Sequence, residues 1–201
     1  MASRWPVRQA ICVLAVLAAT PPAAWGADTA AFVHQDLQAV ASRIQELFHF
    51  VDLIKVESVV GQGQLVVNGI NEVAALLVAA TAHVKGQDPV AESAAQGFSS
   101  QLMSALLSPV RTLLRGMEKT RFPLSQDSSC NALKLIETAV GAMGTALDEY
   151  EAALLEVIPT EAGRVNMVKQ TLGNSVREFL LNWHADSQQA AKIGILLCQK
   201  D

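Results

Sequence analysis

Apolar residues recur along this chain at alternating spacings of three and four, the period of a helix with one buried face. From Thr29 to about Val56, the positions Val33, Leu37, Val40, Ile44, Leu47, Val51 and Ile54 share one stripe, with Asp28 or Thr29 as N-cap. Glu57-Ser58 and Gly61-x-Gly63 read as the loop that ends this helix. A second helix is predicted from about Gln64 to Val84, carrying Val66, Ile70, Val73, Leu77, Ala80 and Val84, weakened at Gly69 and closed by Lys85-Gly86-Gln87. Asp88-Pro89 opens a third, with Val90, Phe98, Leu102, Ala105 and Leu106, and Ser108-Pro109 repeats the cap-plus-proline signature. There the helix kinks or a new one begins, continuing through Val110, Leu113, Leu114 and Met117. Phe122-Pro123-Leu124 reads as a short extended connection.

The longest unbroken stripe runs from about Ser129 to Val157: Leu133, Ile136, Val140, Met143, Leu147, Tyr150, Leu154 and Val157, ended by Pro159. Thr160 then caps a last long helix with Val165, Val168, Leu172, Val176, Phe179, Leu180 and Trp183 on one face. A break is expected near Ala185-Asp186-Ser187, leaving a terminal segment from Gln188 to Cys198. Leu53 to Val60 is the best strand candidate but has no partner segment. The predicted fold is all-α: a single antiparallel bundle of about five long helices, one kinked at a proline, occupying residues 28–201 as one domain.

Composition sharpens this reading. Hydrophobic residues make up 51% and charged residues 17%, enough to build a core and too apolar for a disordered chain. The net charge of −4 argues against a nucleic-acid partner. Residues 1–27 have the features of a secretory signal peptide: Arg4 and Arg8, the apolar run Ile11 to Ala19, Pro21-Pro22, and small residues around Trp25. That run is too short to span a bilayer, and no second apolar stretch is expected to be long enough to span one. The expected location is therefore secreted, extracellular or associated with a cell wall. Loss of Arg4 and Arg8 would take the net charge from −4 to −6 and leave Cys130 and Cys198 as the cysteine pair, expected to form one disulfide. The hairpin geometry of the last two long helices brings the terminal segment back beside Cys130.

The candidate chemistry is sparse. His34, His49, His83 and His184 have no metal-ligand spacing, no catalytic motif occurs, and no cofactor is expected. Asp148-Glu149-x-Glu151 reads as a solvated acidic face. Helices rich in Ala and Val, with Met103, Met117, Met143 and Met167 as flexible filler, either approach closely or leave an apolar slot between them. Leu77, Phe98, Leu102, Leu106, Val140, Met143 and Leu147 are the candidate lining of such a slot, with Leu106 and Met143 on faces expected to meet. Ser100, Ser104 and Ser108 recur every four residues, either as a hydroxyl strip for a carboxylate head or as a small-residue seam for close packing.

Several segments carry a family resemblance: Phe32-Val33-x-x-Asp36-Leu37-x-x-Val40, Leu106-x-x-Pro109-Val110-x-x-Leu113-Leu114, Lys119-x-x-Phe122 and Leu154-x-x-Val157-x-Pro159. Over roughly residues 30–159 the chain resembles the fungal hydrophobic surface binding protein A family, which includes the cell-wall galactomannoproteins. The extension beyond Pro159 and the Cys130/Cys198 pair depart from its pattern. The resemblance implies a secreted, non-enzymatic helical protein that adsorbs to hydrophobic surfaces or holds a fatty acid between its helices. The alternative is a secreted protein–protein interaction module, an effector or inhibitor, using an exposed helical face.

Overall fold

The computed structural model describes residues 27–54, 61–95, 97–125 and 132–198, with side chains described as far as residue 184. The expected signal segment and the proposed Cys130–Cys198 bridge lie outside the residues so described. All regular structure among them is helical: α1 (Ala27–Asp52), α2 (Gln62–Val84), α3 (Glu92–Ala95), α4 (Phe98–Leu102), a π-helical turn (Met103–Leu107), α5 (Ser108–Ser125), α6 (Ala132–Val157), a 3₁₀ turn (Pro159–Glu161) and α7 (Ala162–Cys198).

Consecutive long helices alternate in direction. Thr29 Oγ1 donates to Asp88 O at 3.3 Å, tying the start of α1 to the end of α2. Val90 N–H donates to Val157 O at 2.7 Å, bringing the C-terminal ends of α2 and α6 to the same end of the bundle. At the other end Trp183 Nε1–H, on α7, donates to Leu133 O at the start of α6 at 2.9 Å. Each helix has two principal neighbours, and these run in a closed circuit: α1 on α2, α2 on α6, α6 on α7, α7 on α5 and α5 back on α1. Neighbours in this ring are not always sequence neighbours, so α2 and α6 lie parallel. The stripes predicted from the sequence face inward and merge into one continuous core, in which Leu37, Ile44, Ile70, Leu77, Leu113, Tyr150, Phe179 and Trp183 are fully buried.

Local chemistry sets the boundaries. Gly86 takes φ 78°, open to glycine without a Cβ penalty, and the chain turns out of α2 there. At Ser108-Pro109 the helical path is irregular but unbroken: the π turn Met103–Leu107 runs directly into α5. Proline lacks the N–H that would bond to Ala105, and its ring crowds that carbonyl. The preceding turn widens instead, with Ser108 N–H bonding five residues back to Met103 O.

Three expectations need correction. Phe122-Pro123-Leu124 is not extended: α5 runs through Pro123 to Ser125, and buried Leu124 holds its end to the core. No break occurs near Ala185, since α7 continues to Cys198 through a stretch of alanine and straight-chain residues with no proline. Met103 and Met167 are not core filler; both are close to half exposed, whereas Met117 and Met143 are fully buried.

Candidate functional site

The expected apolar lining is wholly interior. Leu77, Phe98, Leu102, Leu106, Val140, Met143 and Leu147 are all buried and belong to the single core cluster. Leu77 lies on α2, whose most extensive packing partner is α6. Leu106 lies in the π turn, whose main interhelical neighbours are α1 and α7. Leu106 and Met143 both belong to that one core cluster. The serine strip is misplaced: Ser100, Ser104 and Ser108 all face solvent. The Ser104 hydroxyl donates back to the Ser100 backbone carbonyl at 3.0 Å, so it is spent on its own helix. The three serines neither reach the core nor form a packing seam.

Two buried polar groups take the place of that strip. The Tyr150 hydroxyl is sealed inside the core and finds no hydrogen-bond partner among the described residues. Burial drives its acidity far down, and the negative charge of Asp36 on α1 adds to this. Asp36 accepts from His83 Nδ1 of α2 at 3.1 Å, so the hydroxyl lies beneath a polar cluster where α1, α2 and α6 converge. A neutral phenol that is dry and unpartnered carries a desolvation cost of about 1–3 kcal/mol until something accepts its proton.

Glu151 is the second group and departs from the solvated acidic face that Asp148 and Glu149 do form. Its residue is 1% exposed, and neither carboxylate oxygen has a partner among the described residues. Burial pushes its carboxyl up to about 8; Asp148 adds to the rise and Lys169 opposes it. Glu151 lines a surface groove of about 810 Å³ between α6 and α7, walled by Leu147, Leu172, Val176 and Leu180. Gly141 and Gly173 line it too, and a Cβ on either would meet nothing within 4 Å. Gly144 is different, because a Cβ there would stand 2.9 Å from Val176 Cγ1, so it lets the two helices approach. The sequence did carry a signal for Glu151: it falls at i+4 from Leu147 and i−3 from Leu154, on the stripe itself.

Among the described residues no cluster of His, Cys, Asp and Glu could hold a metal ion. Helix α2 is long and apolar enough to cross a membrane by length and composition, and less than half of it is buried in the bundle.

No family model matches the chain. No curated protein matches it. A solved structure does resemble its fold: AfMP4p in complex with palmitic acid, superposing with a TM-score of 0.69 at 15% identity over 77% of this chain and 99% of that one.

Proposed function

We propose that the chain is a lipid-binding bundle whose interior takes a long-chain fatty acid, with the Tyr150 hydroxyl donating to its carboxyl group. One observation carries the reading: a fully buried, unpartnered hydroxyl in the apolar core of a fold shared with a palmitate-bound protein. A ring of five helices spaced 8–10 Å apart has its axis about 8 Å from each helix, further than in a ring of four. Ala80, Ala139, Ala146 and Val140 are among the buried core side chains, and a core with such small residues would make room for an acyl chain between the helices. Binding would be driven by burial of the tail, at about 25 cal/mol per Å² of apolar surface. The Asp36–His83 pair lies beside this head-group position.

The protein acts without catalysis in this account and is secreted, as residues 1–27 and the resemblance to the fungal hydrophobic surface binding proteins suggest. It works outside the cell as a lipid carrier or as a protein of hydrophobic surfaces. The test is native mass spectrometry of the purified chain, followed by removal of lipid and titration with palmitate. A co-purifying acyl chain and saturable uptake at one site support the reading. Met143→Trp should abolish that uptake and leave the chain helical. Absence of saturable binding to the wild-type protein overturns the proposal.

A further inference from the structure

We propose that the groove between α6 and α7 is a second lipid site, one that takes an uncharged long-chain aliphatic alcohol with its hydroxyl against the Glu151 carboxyl. The site lies over the α6–α7 seam and shares Leu147 with the lining expected of the interior site, and its head group, Glu151, is distinct from Tyr150, so the two are tested separately.

Three features define the ligand. The first is length. The groove extends from Glu137 to Glu151 along α6, about 21 Å at 1.5 Å per residue. That matches an extended chain of roughly 16 carbons at about 1.3 Å per bond along the zigzag. The second is the floor. The open space above Gly141 and Gly173, flanked by Leu147, Leu172 and Val176, gives a slender apolar trough that a linear chain would occupy.

The third is the head group. The Glu151 carboxyl is dry, without a partner among the described residues, and part of the groove's lining. Burial keeps it protonated at neutral pH, so it offers one donor and one acceptor. An alcohol hydroxyl offers the complementary acceptor and donor, and neither group has to bury a charge. Ionic heads fit worse. Lys169 stands against an ammonium and Asp148 against a carboxylate, since both line the groove beside Glu151. Glu137 at the far end is already occupied by Lys134 and His184, at 3.1 and 2.8 Å. The head therefore belongs at the Glu151 end.

The experiment is calorimetric titration of 1-dodecanol into the purified full chain, stripped of lipid and saturated with palmitate, with dodecylammonium as the charged comparison. The expected result is one saturable dodecanol site that Glu151→Leu weakens by at least about tenfold through loss of the head-group hydrogen bonds. Glu151→Gln, which keeps a donor and an acceptor, stays within about threefold of wild type. Gly173→Leu and Gly141→Leu, at positions where a Cβ meets open space, put a side chain into the trough and abolish binding, with helicity by circular dichroism as the check on the fold. Tyr150→Phe leaves dodecanol binding unchanged. No saturable dodecanol binding, binding that survives both Glu151→Leu and Gly173→Leu, or tighter binding of dodecylammonium would each overturn the proposal.

Discussion

Replacing Glu151 by glutamine should make the protein more stable than wild type, by a margin that grows with pH. An unfolded glutamate titrates near 4.5, whereas the folded carboxyl is pushed up to about 8 by burial, with Asp148 adding to the rise and Lys169 opposing it. Between those values the folded chain holds a proton that the unfolded chain has released. Stability therefore falls as pH rises, by about 1.4 kcal/mol per pH unit for this one group. The contribution is fully present below pH 4.5 and gone above pH 8. From pH 5 to pH 8 the loss amounts to roughly 4 kcal/mol, a large share of the 5–15 kcal/mol of a typical domain. Glutamine has nearly the same shape and no proton to lose. Urea denaturation of both proteins at pH 5, 6, 7 and 8 gives the difference directly, because every other titrating group cancels between them. The two should be similar near pH 5 and well separated at pH 8. A stability difference that stays flat across this range would refute the burial of an unpartnered carboxyl at this position.

Other outcomes follow from the same geometry. Tyr150→Phe removes an unsatisfied buried hydroxyl, so the lipid-free protein should gain about 1 kcal/mol or more in urea denaturation, while palmitate affinity falls. Gly141→Ala and Gly173→Ala should each add about 0.5–1 kcal/mol, because a methyl at either meets open space. Gly144→Ala should destabilise, since its methyl would press on Val176 at 2.9 Å; the same titrations rank all three. Trp183→Phe should cost about 1–3 kcal/mol, because Leu133 O loses its buried donor.

The helices and their buried faces were legible because the stripes are long and regular. Every apolar position on the α6 stripe, from Leu133 to Val157, is buried. Which helices become neighbours was not legible: the parallel α2–α6 seam joins segments separated by the whole of α3 to α5, and no local pattern encodes it. The serine strip could have been placed correctly. Ser104 lies two residues from both Leu102 and Leu106, about 200° around the helix from the buried stripe. Glu151 was misread because its charged neighbours Asp148 and Glu149 suggested a solvated face, although its own register matches Leu147 and Leu154. Tyr150 was assigned to the core correctly. That its hydroxyl would find no partner depends on what α1 and α2 bring beside it, which is tertiary information. Pro109 was ambiguous for a different reason: a π turn absorbs the missing hydrogen bond without a break.

A crystal structure of the lipid-stripped chain soaked with a bromine-labelled palmitate would locate both ends of the ligand, because anomalous scattering from the bromine fixes the tail independently of the head. The bromine is expected inside the ring of α1, α2, α5, α6 and α7, with a carboxyl oxygen about 2.5–3.0 Å from Tyr150 Oη. An interior left empty, or a fatty acid whose head lies away from Tyr150, would contradict the proposed interior site.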